Sequence, residues 1–174
     1  MILSMFTLLA PLLGAGEGFS SASAQDHTDH INFGVSYLVE NNLEATIAFE
    51  HETKYHNSWE YFINASLKYE ECNDCGHICD ESFWSNYNTV GCGVAYKPCI
   101  TRGRNNHGNL RIGASGNYTT DKPFVTGFHL GYEHDYALRS GWNLYWQLKC
   151  DAMINGRDTF RGGIALGFKL PCGK

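Results

Sequence analysis

Residues 142–154 read WNLYWQLKCDAMI, and the side chains of this stretch alternate between two kinds. Trp142 and Trp146 share one phase with leucines, whereas Lys149 and Asp151 share the other phase with amides. Successive side chains of a β-strand point to opposite faces, so this period of two predicts a strand. One face of the strand is apolar and the other is charged, and the solvent against each face decides the fold.

The same alternation recurs through most of the chain, with no helical period between the alternating segments. Turn-rich pieces such as NGRD at 155–158 and PCITRGRNNHG at 98–108 separate them. The predicted strands cover residues 30–39, 43–53, 59–71, 87–97, 109–118, 124–136, 142–154 and 159–170. Strands of about 10 residues are long enough to cross a membrane when tilted.

The two phases differ sharply in volume. One phase carries bulky aliphatic and aromatic residues on every strand, and the other carries glycine, small residues and nearly all strand charges. An eight-stranded barrel encloses a lumen only just wide enough for side chains to fill it. The bulky phase is too large for that lumen at protein packing density, so the charges are predicted to face inward and the apolar residues outward.

An apolar outer surface of this extent requires lipid, and strands in lipid must close into a barrel to pair their backbone groups. The predicted fold is therefore an all-β, eight-stranded antiparallel up-and-down transmembrane β-barrel in the cell outer membrane, with outer-membrane lipid as its partner. Aromatic residues near both strand ends match the girdles of such barrels. Gly116 and Gly162 on the outward phase, and Phe62 and Tyr145 on the inward phase, depart from the pattern. A β-sandwich that dimerises through an apolar face is the alternative.

The N-terminus predicts an export signal rather than part of the fold. An apolar run, ILSMFTLLAPLLGAG, is followed by SASAQ with Ala22 and Ala24 in cleavage-site spacing. We therefore expect a signal peptide at 1–24 and the barrel at 25–174. The net charge of -5 and the lack of a basic segment give no reason to expect direct binding of nucleic acid.

Charged groups inside a narrow barrel are removed from water and must pair with one another. The inward phase supplies both signs, which predicts a network of ion pairs that fills the lumen and leaves no open pore. The predicted network comprises Glu44, Glu50, Glu60, Lys68, Arg111, His129, Glu133, Lys149, Asp151, Arg161 and Lys169.

Three of the seven cysteines lie close together in the longest predicted loop, in the motif CNDCGHIC. Cys72, Cys75, Cys79 and His77 offer the donors of a Cys₃His zinc site. The alternative is oxidation to disulfides, as is usual in exported proteins. Cys92 and Cys150 fall on outward phases and are expected to serve as small apolar residues.

An enzyme is not expected, because no spacing pairs a nucleophile with its base. Ser115, His129, His134 and Asp135 are the residues that a rim-site lipid or peptide hydrolase could use. His129 is interpreted as a lumen residue, and His134 and Asp135 as a solvated rim. No cofactor is predicted.

Three stretches resemble the TraO family, which belongs to the transfer clusters of conjugative transposons in anaerobic Gram-negative gut bacteria. They are INFGVSYLVENNLEATIAFEHETKYHNSWEYFINASLKYEEC at 31–72, GYEHDYALRSGWNLYWQLK at 131–149 and FRGGIALGFKLP at 160–171. The resemblance implies an envelope component of a conjugative DNA-transfer apparatus, with other conjugal transfer proteins as partners. It brings no catalytic or ligand residues. A generic porin-like or envelope-stabilising barrel is the alternative.

The cysteine-rich motif generates a direct test. Elemental analysis of the chain purified under reducing conditions should find about one zinc per molecule if Cys72, Cys75, His77 and Cys79 bind metal as a closed tetrahedral set. The absence of zinc would exclude this site.

Overall fold

A computed structural model describes residues 28–39, 41–53, 55–69, 88–120, 123–156 and 158–172. The predicted signal peptide and the predicted zinc ligands Cys72, Cys75, His77 and Cys79 lie outside these residues. The strands are β1 Thr28–Leu38, β2 Asn42–Glu52, β3 Ser58–Lys68, β4 Thr89–Lys97, β5 Cys99–Arg102, β6 Asn106–Thr119, β7 Val125–Ala137, β8 Asn143–Ile154 and β9 Phe160–Pro171. Among the residues described, no helix is long and apolar enough to cross a membrane.

The nine strands form one antiparallel sheet that closes on itself. Each barrel strand pairs with the next along the chain, and β1 pairs with β9 from His30↔Pro171 to Leu38↔Gly163. Because β5 pairs with β6 alone, the remaining eight strands make the barrel, with β4 paired directly to β6. The predicted eight-stranded up-and-down barrel is confirmed, and the sandwich is not formed.

One predicted boundary is wrong. The sequence predicts a turn at 98–108, but these residues contain β5 and the start of β6. Strand β6 extends past the last pair that it makes with β4, Tyr96↔Ile112, and its further backbone groups need partners. Strand β5 folds back to pair with them, from Cys99↔Asn109 to Arg102↔His107. The other predicted boundaries lie within about three residues of the observed ones.

The faces of the barrel carry the predicted residues. Ile63 and Leu166 on the outer face are 62% and 64% exposed, whereas Glu50 and Lys169 in the lumen are 0% exposed. Cys92 and Cys150 lie on the outer face, as expected, and are free thiols. The outer surface of the described residues is therefore an apolar belt, whereas the lumen is polar.

Aromatic side chains pack against one another at the strand ends. Trp59 and Tyr96 are cross-strand neighbours with ring centroids 5.0 Å apart. Trp142 and Phe168 stack at 6.1 Å on another part of the same rim, beside β8 and β9. Amphipathic rings in this position match the interfacial girdle of an outer-membrane barrel.

The two ends of the barrel differ in their connections. The end where β1 begins and β9 ends, here named the terminal end, also carries connections 53–57, 98–105 and 138–142. The opposite end, here named the loop end, carries the longest connection, residues 69–88. Outer-membrane barrels have short periplasmic turns and long extracellular loops, so the terminal end is expected to face the periplasm.

Glycines on neighbouring strands explain the two aromatic residues that face inward. A Cβ on Gly93 of β4 would lie 2.5 Å from the Phe62 ring of β3, and one on Gly167 of β9 would lie 2.5 Å from the Tyr145 ring of β8. Each ring therefore occupies space that a neighbouring strand leaves empty. The outward glycine Gly162 has its nearest such atom at 3.9 Å and faces open surroundings.

This difference predicts unequal effects of the same substitution. Gly93→Val should destabilise the barrel by at least about 1–3 kcal/mol, because the new side chain overlaps Phe62 and the backbone of β6. The matched Gly162→Val should change stability little. Urea unfolding in lipid vesicles measures both, and equal losses would contradict the packing described.

Candidate functional site: the charged lumen

Because side chains alternate between the two faces of each strand, strands that are distant in sequence all place charged side chains in the lumen. Glu50 is carried by β2, Lys97 by β4, Glu133 by β7 and Lys169 by β9. All four lie nearer the terminal end of the barrel, and each is at most 1% exposed. The barrel closure therefore brings them together in one buried cluster.

Lys97 lies at the centre of that cluster. Its Nζ is 3.0 Å from Glu50 Oε2 and 2.8 Å from Glu133 Oε1, and it also contacts Glu60. Its side chain is 0% exposed. A buried ammonium is tolerated only when carboxylates surround it closely, and here three do so.

Lys169 makes a second centre beside the first and shares two of its carboxylates. Its Nζ lies 2.9 Å from Glu50 Oε2 and 2.7 Å from Glu133 Oε1. It also lies 3.0 Å from Asp135 Oδ1. Because the two lysines share Glu50 and Glu133, their ion pairs form one connected network.

Arg111 extends the network towards the middle of the barrel. Its Nε and Nη2 donate to Glu60 Oε1 at 2.9 and 2.7 Å. Its guanidinium also lies 4.5 Å from the centroid of the Phe62 ring. A cation over an aromatic face is attracted by the ring quadrupole, so Phe62 supports the charge network as well as filling space.

The middle of the lumen holds a further set of polar contacts. Lys149 contacts Glu44 directly and lies 3.8 Å from Asp151 Oδ2. The His129 ring joins the other oxygen of that carboxylate, with Nδ1 2.8 Å from Asp151 Oδ1. His129 Nε2 lies 2.7 Å from Ser115 Oγ.

Towards the loop end, the lumen holds a third group of charged side chains. Lys68 Nζ lies 3.1 Å from Asp158 Oδ1. Arg161 Nε lies 3.8 Å from the other oxygen of Asp158, and its Nη2 donates to Thr89 Oγ1 at 3.2 Å. Charged groups therefore line the lumen from one end to the other.

The structure places every residue of the predicted lumen network inside the barrel. All are buried: Glu44, Glu50, Glu60, Lys68, Arg111, His129, Glu133, Lys149, Asp151, Arg161 and Lys169.

Sequence reasoning missed the central cation. Lys97 continues the inward phase of Gly91, Gly93 and Ala95, and that period would have placed it in the lumen. The sequence pattern assigns Asp135 to a solvated rim, but the structure corrects this, because Asp135 is 0% exposed and pairs with Lys169. Asp158, the partner of Lys68, was also missed.

The polar groups leave little space between them. A cavity of about 10 Å³ lies in the middle of the lumen and is lined by Glu60, Phe62, Arg111, His129, Glu133 and Tyr145, among others. A volume of this size holds about one water molecule. The middle of the lumen is therefore filled by its own side chains.

Ser115, His129 and Asp151 follow the hydrogen-bond order of a hydrolase triad. A carboxylate only accepts, so His129 donates from Nδ1 to Asp151, and its Nε2 lies 2.7 Å from Ser115 Oγ. All three are buried, and Asn117 Nδ2 donates to Ser115 Oγ at 2.8 Å. Of the other two candidate hydrolase residues, His134 faces outward against Trp146, and Asp135 pairs with Lys169. Since the adjacent cavity admits about one water molecule, this arrangement has no space for a lipid or peptide substrate.

Comparison with known proteins establishes the fold. No protein-family model and no curated protein matches the sequence. A major outer membrane protein from Thermus thermophilus is similar in structure, with a TM-score of 0.62 and 11% identity over 84% of this chain and 99% of that chain. Neisserial surface protein A gives a TM-score of 0.59 and 10% identity over 84% of this chain and 97% of that one.

The outer membrane protein Ail of Yersinia pestis, determined in a phospholipid bilayer nanodisc, is also similar. Its TM-score is 0.53, with 9% identity over 83% of this chain and 100% of that chain. At these identities the likeness shows the fold alone. The apolar belt of this chain and its closed barrel fold make it a protein of the outer membrane.

The shared carboxylates around Lys97 predict a large effect of its removal. Lys97→Met should lower the free energy of unfolding by about 3–5 kcal/mol, because Glu50, Glu60 and Glu133 would stay buried with too little positive charge. Urea unfolding in vesicles provides the measurement. Arg139→Met, which removes one positive charge from an exposed connection, is the matched control and should be nearly neutral. A Lys97 variant as stable as the Arg139 variant would contradict the network.

Proposed function

We propose that this chain is a non-enzymatic, non-conducting outer-membrane barrel that serves as an envelope component of a conjugative DNA-transfer apparatus. The observation that carries the non-conducting part is the filled lumen, where ion pairs around Lys97, Lys169 and Lys149 occupy the bore. A rigid body of this kind acts through the surfaces that it holds at the membrane rather than through transport.

The conjugative part of the proposal rests on the sequence resemblance to the TraO family. The resembling stretches span most of β1, all of β2, β3 and β9, and the turn between β7 and β8 with the adjoining halves of those strands. Within this role the barrel would anchor segment 70–86 at the membrane and offer it to other conjugal transfer proteins. That segment lies in the longest connection between barrel strands, which suits a contact region.

The lack of enzymatic activity is supported by the position of the only Ser–His–Asp chain found among the described residues. Ser115 lies in the lumen with its hydroxyl engaged by His129 and Asn117. A hydrolase of lipids or peptides would need this oxygen to meet a substrate carbonyl, and the packed lumen separates the two.

An envelope-stabilising barrel without a role in DNA transfer is the second candidate. The ion-paired, closely packed lumen favours it, because a rigid, closed cylinder is sufficient for that task. Porin-like conduction, the other generic alternative, is disfavoured by the cavity of about 10 Å³.

Conductance in a planar bilayer tests the filled lumen. The folded wild-type barrel should show no stable channel steps, whereas a porin reconstituted in parallel gives them. Defined, reproducible steps from the wild-type barrel would contradict the non-conducting part of the proposal.

Transfer frequency tests the biological role. Deleting the gene from a donor strain should lower conjugative transfer by orders of magnitude, and the wild-type gene should restore it. Ser115→Ala should restore transfer equally well and leave the lipid profile unchanged, because the hydroxyl is not catalytic in this account. Replacing 70–86 with a glycine–serine linker should not restore transfer, although the barrel still folds. A deletion strain that transfers normally would overturn the conjugative role and leave the envelope-stabilising barrel.

A further inference from the structure

A cluster of histidines and a carboxylate lies at the terminal end of the barrel, outside the ion-pair network just described. Glu52 is contributed by the end of β2, His56 by the connection 53–57 and His107 by the start of β6. One potential ligand atom from each lies within 4.8 Å of the others. The His56 and His107 rings stack with centroids 4.4 Å apart, and His56 Nδ1 contacts Glu52.

Two buried histidines at this mouth have a nitrogen with no hydrogen-bond partner. His30 Nδ1 and His107 Nε2 both lack one, although the residues are only 5% and 8% exposed. Most buried polar atoms in proteins are paired, so unpaired imidazole nitrogens need an explanation. His30 Nδ1 lies 3.6 Å from Glu52 Oε2, which brings it to the edge of the same cluster.

The cluster opens into a cavity of about 190 Å³ at the barrel mouth. His30, Glu52, His56 and His107 all line it, and Arg104 reaches it from an exposed connection. This volume admits a hydrated ion, whereas the cavity deeper in the lumen admits about one water molecule. An ion from the solvent can therefore reach the point where the imidazole and carboxylate groups of the cluster lie close together.

We propose that Glu52, His56 and His107 form a binding site for a divalent transition metal, best matched by Zn²⁺, with His30 as a fourth donor. Imidazole nitrogen and carboxylate oxygen are common zinc ligands, and zinc takes four of them in a tetrahedral arrangement. Binding at about 2.0–2.2 Å would require only that the side chains move closer together. Calcium and magnesium prefer oxygen donors and are not expected here.

A neighbouring carboxylate fits the same interpretation. Asp135 Oδ2 lies 3.3 Å from His107 Nε2. This carboxylate faces the same His107 nitrogen that lacks a hydrogen bond, so it adds negative charge beside the proposed metal. Asp135 is held by Lys169, so the ion-pair network and the metal site meet at this residue.

The experiment titrates Zn²⁺ into the mature chain folded in detergent at pH 7 without a polyhistidine tag. Cys72, Cys75 and Cys79 are replaced by serine so that the cysteine motif cannot contribute. We expect about one equivalent of bound Zn²⁺, and a tetrahedral Co²⁺ spectrum without a thiolate charge-transfer band. Mg²⁺ and Ca²⁺ should not compete.

Three variants in that background assign the site. His107→Gln and His56→Asn should each weaken Zn²⁺ binding by at least about tenfold, because each removes a ligand. Asparagine is chosen at residue 56 because His56 has a φ of 60°, which asparagine tolerates well. His134→Gln, which alters an outward-facing histidine beside Trp146, should bind as tightly as the parent.

Folding of each variant is checked by the mobility of the unboiled chain on a denaturing gel. His56 lies in a turn with its side chain 44% exposed, so His56→Asn should fold even if His107→Gln does not. The proposal is overturned if the folded parent takes up no Zn²⁺. It is also overturned if uptake persists unchanged in folded His56→Asn, or if Co²⁺ shows thiolate ligation.

Discussion

The narrow bore of an eight-stranded barrel is the constraint on which the rest of the structure depends. The strands of this chain carry far more apolar side-chain volume than such a bore can hold, so that volume must lie outside. The outer face then requires lipid, and lipid in turn requires that no strand edge is left unpaired. The pairing of β1 with β9 meets this requirement. The fold, the membrane location and the orientation of the two faces all follow because the apolar side-chain volume exceeds the volume of the bore.

The same constraint determines the chemistry of the lumen. Side chains that fit inside are small or polar, and charges among them have little water available. These charges are neutralised by shared ion pairs, in which Glu50 and Glu133 each pair with both Lys97 and Lys169. Phe62 and Tyr145 fill the remaining space where glycines on adjacent strands leave room. The lumen is thus a packed polar core, and the functional surfaces of the protein are its two ends.

Sequence periodicity predicted the fold and the lumen residues because a strand repeats every two residues and one slip would reverse both faces. It could not predict which charges pair, since Lys97, Glu133 and Lys169 meet only through barrel closure. Strand β5 was missed because its four residues show little alternation. The cluster of Glu52, His56 and His107 was also missed. His107 is far in sequence from Glu52 and His56, and His56 lies in a turn where the period of two does not apply.

The most direct test of the inside-out arrangement is quenching of tryptophan fluorescence in vesicles. Trp84, outside the described residues, is replaced by phenylalanine, so that the signal comes from Trp59, Trp142 and Trp146 on the outer face. Brominated acyl chains should quench this emission strongly, and acrylamide in the water should quench it weakly. Strong quenching by acrylamide with no effect of the brominated lipid would show that these side chains do not face the bilayer, and would contradict the inside-out arrangement.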